Sequence, residues 1–461
     1  MNTTSCFLTR RALLGLALLS GSWGMANAAD VYWNTNNNGD FSVGTNWDIG
    51  VVPGAEDAAR NNTTGTVTIN ADWSVGSLIA QDNLSGGVDT VVHFLQSGGT
   101  VAMGTSGLFR MGEGAGNVGV YQITNGTLNM NGSAGSGSGS SGNGVANVGR
   151  DGGTGKLIIS GGTVNVSGGD GSWSSTLRAG EGTDATGYIA QSAGTLQTGK
   201  RLILGQDGGE GHYTLSGGNL QVGTDLWVGG MGATGSFTMT GGTATIGSWF
   251  TVGGASENRT VNASSSGTAI ISGGELTISG ESAIGNDGGT GTLTLKGDAK
   301  INSVKYFVVG RRGGNGTLNL EGGTFNVTGY KVVVGGDSSG AGSRGTVNHS
   351  AGSLVLSGGD LHVGGDGKEK YNQGIYNLSG SGKIQVTGDK WILLGQGGAE
   401  GILNMTGGSI SFDTTTAAGT SRISIGDGKK KDGATYTEGI LNQSGGTFTA
   451  TGVDTNIGGN G

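Results

Sequence analysis

The sequence predicts an all-β fold, a right-handed parallel β-solenoid of about twelve coils with an N-terminal cap. Three observations carry this. A twelve-residue box recurs along the chain, each copy alternates apolar and polar residues, and Gly punctuates the copies while Pro is almost absent. The box reads "GKLIISGGTVNV" from Gly155, "GHYTLSGGNLQV" from Gly211, "GTLNLEGGTFNV" from Gly316 and "GILNMTGGSISF" from Gly401. Further copies begin at Gly119, Gly187, Gly235, Gly267, Gly291, Gly345, Gly374 and Gly439. The shortest intervals are 24 or 25 residues, and longer ones hold Gly/Ser/Asp/Lys insertions of the kind that loops accept.

Each period divides into three short strands. In the copy at Gly316 the first is "TLNL" and the second "TFNV", while the third is the "KVVVG" that starts at Lys331. Alternation predicts that Leu318, Leu320, Phe325, Val327, Val332 and Val334 point into a shared core. Thr317, Asn319, Asn326 and Val333 then face outward. Gly-rich corners join the strands, because Gly takes positive φ without steric cost. One coil cannot bury its own apolar face, so stacking supplies the core, each strand pairing with its counterpart about 4.8 Å along the axis. A β-propeller is the alternative architecture, but its blades need about 40 to 45 residues. Helices are excluded by the Gly and β-branched content of every period.

Composition bounds the rest. Gly is 104 of 461 residues and Pro 1, yet the long period argues against low-complexity disorder, and the single Pro excludes collagen. Residues 1–28 read as an export signal. Arg10 and Arg11 form its basic start, "ALLGLALLSG" its apolar core and "ANA" a small-residue cleavage site before Ala29. The "TRRALL" stretch also fits a twin-arginine signal, and the ordinary export signal is preferred. Cys6, the single cysteine, leaves with the signal, so neither disulfide nor thiol chemistry is expected in the mature chain. Loss of Arg10 and Arg11 moves the net charge from −8 to −10, which argues against nucleic acid as partner. No later apolar run has the length of a membrane span. Residues 29–90 differ from the repeats, with Pro53, a Trp33/Trp47 pair and clustered acids. They are expected to cap the first open edge, leaving 91–461 as the repeats.

The box "GTLxLxGGTLxV" followed by "VVGxxGG" resembles the strand repeats of bacterial autotransporter passenger domains and of exported surface proteins with autotransporter-associated repeats. The opening "GDFSVGTNWDIGVVPGAEDA" is similar to the start of many such proteins. The resemblance spans most of residues 30–461. It implies a parallel β-solenoid at or released from the cell surface, associated with the outer membrane, and it brings no catalytic residues. Such proteins continue into a membrane barrel or a sorting tail, whereas this sequence stops at "TNIGGNG". The expectation is that the natural chain continues or that a partner covers this end, and that the open coil self-associates.

Four histidines are present. His93 and His349 fall in strand boxes, with His349 where neighbouring coils carry Leu320 and Leu378. His212 and His362 replace outward positions. None lies beside a Ser and an acid in a recognisable nucleophile motif, so no hydrolytic triad is expected. Asp151, Asp207, Asp287, Asp337, Asp366 and Asp427 recur at corners. The turn preference of Asp accounts for these positions better than a row of calcium sites does. Each coil offers about one carboxylate, and Arg311 and Arg312 interrupt the row. No metal or other cofactor is therefore expected. Lys429, Lys430 and Lys431 sit in a corner loop without an acidic cluster, against a pectin-cleaving site. Trp227, Trp249, Tyr306 and Trp391 are the candidate glycan contacts, outward aromatics able to stack on sugar rings. Asn319, Asn348, Asn377, Asn404 and Asn442 share one outward position in successive copies and are expected to form an amide ladder.

These readings converge on a non-enzymatic, exported scaffold, adhesin-like or matrix-forming, that meets a polysaccharide or a host surface. The alternative is a polysaccharide-binding or polysaccharide-cleaving β-helix of the pectate-lyase kind. A crystal- or ice-binding face fits less well, because the Thr rows look irregular.

Overall fold

The computed structural model describes residues 29–82, 91–105, 107–131, 146–168, 173–255, 263–337, 340, 342–366, 371–413, 421–427, 438–450 and 453–458. The signal read in 1–28 and the lysines at 429–431 lie outside these residues, as does the side chain of Asp427. The described chain is strand and turn throughout, apart from a single 3-10 turn at Gly44–Asn46.

All strand pairs of the coils are parallel and gather into a 16-stranded and a 27-stranded sheet. The smaller sheet stacks the third strand of every coil. The larger merges two columns, the first and second strands, which run on as one in Asn315–Val327 and Arg344–Leu356. The described residues form a parallel β-solenoid of sixteen rungs, about 70 Å long at about 4.8 Å per rung.

The twelve box glycines form one unbroken column, from Gly119↔Gly155 to Gly401↔Gly439. Close approach explains why. A Cβ on Gly211 would sit 2.2 Å from the backbone N of Gly205 and 2.3 Å from the oxygen of Ala179. Gly205, at φ +78°, closes the third strand, so two backbones meet at this corner with no room for a side chain.

Four rungs precede the first box. Asp30–Tyr32, Ala58–Asn61, Ser77–Ala80 and Phe109–Glu113 open the smaller sheet, so the segment 29–90, expected to cap the stack, supplies the first three of its rungs. Its aromatics gather there. Trp47 packs edge-on against both Trp33 and Phe41, at 5.1 Å each.

Leu318, Leu320, Phe325, Val327, Val332 and Val334 are all buried in the shared core, as alternation predicts. Some inward positions are polar, and each of three finds a tyrosine hydroxyl one coil on. Tyr121 donates to Gln96 at 2.8 Å, Tyr213 donates to Gln191, and the His349 Nδ1 lies 2.8 Å from Tyr376 Oη. His349 does stand between Leu320 and Leu378, with Nε2 3.2 Å from the Gly352 carbonyl.

The third face departs from expectation. Val333 points away from the core but is 0% exposed, and outward His362 is 4% exposed. Long corner side chains fold back over this sheet. Asp366 Oδ2 reaches the Tyr306 hydroxyl two coils earlier at 2.8 Å, and Arg311 lies over the Trp249 ring at 4.7 Å. Alternation specifies direction along a strand, but burial on this face depends on what crosses it.

Candidate functional site

The four candidate aromatics lie on or beside one edge, where the chain enters the third strand. The residue that opens each third strand, or immediately precedes it, forms a column. From Arg201 it runs through Asp225, Trp249, Glu281, Tyr306, Lys331, Asp360, Trp391 and Arg422. Trp249, Tyr306 and Trp391 are half-buried members of that column. Trp227 is not on it. It is 5% exposed and joins Trp173, Ile203 and Ala255 in a small cluster on the third face. Arg201 lies over both Trp173 and Trp227, at 4.9 and 5.1 Å.

Each ring of the column carries a cation on one face. Arg311 covers Trp249 at 4.7 Å, Lys331 lies 5.5 Å from Tyr306, and Arg422 covers Trp391 at 4.9 Å. The exposed Tyr330 meets Tyr306 edge-on at 4.4 Å and widens the aromatic surface. Carboxylates of the column hold backbone. The amide of Trp249 donates to Asp225 at 3.2 Å and that of Trp391 to Asp360 at 2.9 Å. Burial pushes the Asp360 carboxyl up, against the opposing pull of the Trp391 amide and of Lys390 and Lys331. The edge thus joins aromatic rings with fixed charges of both signs, the mixture that suits C–H faces and hydroxyls together.

The corner aspartates serve the turn and its ion pairs. Asp151, Asp207 and Asp287 hold positive φ of 48°, 52° and 50°, each followed by a positive-φ Gly, as in a type I′ turn. Arg312 takes φ 49° at the equivalent corner. Asp337 pairs with Arg311 at 2.7 Å, and Asp366 with Lys331 at 3.3 Å. Among the described residues no three His, Cys, Asp or Glu side chains gather as a metal site would require.

At the other end of the third face, charges stack as a ladder. Arg60 meets Asp30 at 2.6 Å, and Gln81 links Arg60 to Glu113. Arg110 and Arg150 both pair with Glu113, and Arg178 pairs with Glu181 at 2.5 Å. Glu181 and Arg178 are each 2% exposed. Burial raises the Glu181 carboxyl and lowers the Arg178 guanidinium, and their mutual attraction opposes both shifts.

The first and second strands present the open faces. The asparagine row is an amide ladder. Asn348 donates to Asn319 at 3.0 Å, Asn377 to Asn348 at 3.0 Å, Asn404 to Asn377 at 2.9 Å and Asn442 to Asn404 at 2.9 Å. The second face carries shorter ladders, Asn165 to Asn129 and Asn326 to Asn302. On the first face the structure also unites residues that sequence proximity kept apart. Ser236 Oγ lies 2.7 Å from His212 Nδ1, and Glu210 Oε1 lies 3.1 Å from His212 Nε2. His212 and Ser236 are 24 residues apart, one coil, so the repeat period itself was the signal that could have found them.

No helix among the described residues is long and apolar enough to cross a membrane. No family model, curated protein or solved structure matches the chain in the three comparisons.

Proposed function

We propose that this chain is an exported surface rod, a passenger-like solenoid that presents one long edge to an extended polysaccharide of a matrix or host surface. The observation that carries the reading is the placement of Trp249, Tyr306 and Trp391 in one column, with Tyr330 beside it. Two rungs separate the first pair and three the second, roughly 10 and 14 Å along the axis. A polymer running along the rod meets rings at fixed intervals, with Lys331, Arg422 and Glu281 between and beyond them to engage its polar groups. Presentation needs stiffness, and the shared core and amide ladders supply it.

Trp227 takes no part in this reading, because Trp173, Ile203 and Ala255 enclose it. A cleaving activity is favoured less, since Glu113 and Glu181 are each engaged by arginines within the ladder.

A glycan array probed with the full chain and with a Trp249→Ala/Tyr306→Ala/Trp391→Ala variant tests the proposal. Binding to a set of polysaccharides that the triple variant loses supports it. Equal binding by both, or by neither, would sink it.

A further inference from the structure

We infer that Ser236 is an activated nucleophile, an acyl acceptor served by His212 and positioned through Glu210. The three side chains project from the first face, away from the edge assigned to polysaccharide. Glu210 and His212 are two residues apart on one strand and therefore point the same way. Ser236 is the registered neighbour of His212 in the next coil.

The neighbours favour one tautomer. Glu210 Oε1, an acceptor, lies 3.1 Å from Nε2, which places the imidazole proton on that nitrogen in the arrangement we infer. Nδ1 then presents its lone pair to the Ser236 hydroxyl at 2.7 Å, the distance at which a general base takes a proton. Tyr188, from the preceding coil, stacks on the imidazole at 4.9 Å with 16° between planes, so the ring is held from both sides along the column. Nucleophile, base and orienting acid are thus in line, an arrangement recognised by geometry and role and not by position in the chain.

The surroundings define what this group can do. Ser236 and His212 are half-buried and Glu210 is exposed, on a flat, open surface. The strand's amides are committed to its neighbours in the parallel ladder, which leaves no backbone donors for an oxyanion. The hydroxyl of Thr268, registered beside Ser236 in the following coil, is a donor on that side. The substrate class is therefore an acyl ester with a good leaving group, projecting from a larger molecule laid against the face.

In the step itself, Ser236 Oγ attacks the ester carbonyl and His212 Nδ1 takes the hydroxyl proton. A new Oγ–C bond forms, the ester C–O bond breaks, and the imidazolium returns the proton to the departing alkoxide. Water later releases the acyl group by the same route, restoring the serine. Both stages pass through an oxyanion, and the activated leaving group speeds only the first, so a fast first turnover followed by a slow steady state is expected.

The test uses the full chain with p-nitrophenyl acetate and, separately, a fluorophosphonate probe. The expected result is a burst of about one nitrophenolate per chain. The adduct should be located by mass spectrometry on the peptide that holds Ser236. Ser236→Ala should lose burst and adduct. His212→Gln should slow both about 100-fold, with unchanged β-strand circular dichroism. Asn404→Ala, on the same face but remote, should match the parent. The positioning role of Glu210 is read by ¹⁵N chemical shifts, where Glu210→Ala should move the His212 proton off Nε2. Absence of burst and adduct in the parent, or a rate that His212→Gln leaves unchanged, overturns the inference. The polysaccharide reading stands or falls separately, because its residues lie on another part of the rod.

Discussion

Replacing Asn377 by Ala removes the middle of the five-membered amide ladder. Two hydrogen bonds go, the one Asn377 donates to Asn348 and the one it accepts from Asn404. Bonds of this kind contribute about 0.5–1.5 kcal/mol each when buried, and partly exposed amides recover some of that from water. The expected loss is about 1 kcal/mol for Asn377→Ala and about half of it for Asn442→Ala, which breaks one ladder bond. The ladder also predicts which pairs couple. Asn348→Ala and Asn377→Ala share one bond, so the double variant should lose about 0.5 kcal/mol less than the sum of the singles. Asn348→Ala and Asn404→Ala share none and should add. A solenoid need not unfold all at once, so the assay is native-state hydrogen exchange of the Gln373–Leu378 and Glu400–Met405 amides. Equal effects for Asn377 and Asn442 with additive doubles would mean five independent solvated side chains, and the ladder argument would fail.

Three further outcomes follow from burial. Gly291→Ala would set a Cβ 2.0 Å from the Val252 carbonyl oxygen and 2.4 Å from the Gly285 nitrogen, so it should destabilise its coil by more than about 3 kcal/mol, read as lost exchange protection in Thr290–Leu295. Glu181→Gln leaves the buried Arg178 without its counter-charge and should cost about 3–5 kcal/mol by denaturant titration, while an effect below about 1 kcal/mol would show the ladder to be solvated. Burial holds His93 and His349 at pKa values of about 4 and His362 at about 3, with Lys331 adding to the shift at His362. The unfolded imidazoles bind protons from about pH 6.5, so the unfolded state gains protons first and stability falls as pH drops from about 6.5 towards 4. His349 should account for roughly 3 kcal/mol of that loss. His349→Leu, matching its neighbours Leu320 and Leu378, should flatten the profile. An unchanged slope would refute the assignment.

The coil was legible because its constraints are local. The box Gly must be Gly where two backbones touch, and the alternation of Leu318, Leu320, Phe325 and Val327 reports one buried face within a dozen residues. The rungs at Asp30–Tyr32, Ala58–Asn61 and Ser77–Ala80 were read as a cap because strands such as Asp30–Tyr32 and Gly39–Asp40 are too short to show a period. Burial of Val333, His362 and Trp227 was hidden for a different reason. It arises between coils, where Arg311 and Asp366 reach back some sixty residues to Trp249 and Tyr306, and where Trp173, Ile203 and Ala255 enclose Trp227. The Ser236–His212–Glu210 line escaped for a related reason. A search for nucleophile motifs looks along the chain, whereas a solenoid places partners one period away.

The claim that the aromatic edge meets an extended polymer is tested most directly by affinity against chain length. Trp249 and Trp391 are five rungs apart, roughly 24 Å. For a polysaccharide that binds, oligosaccharides of increasing length should tighten in calorimetric titrations until they span that distance and then level off, and Trp391→Ala should move the plateau to shorter chains. Short oligosaccharides that bind as tightly as long ones, or a length dependence that Trp391→Ala leaves untouched, would contradict the account.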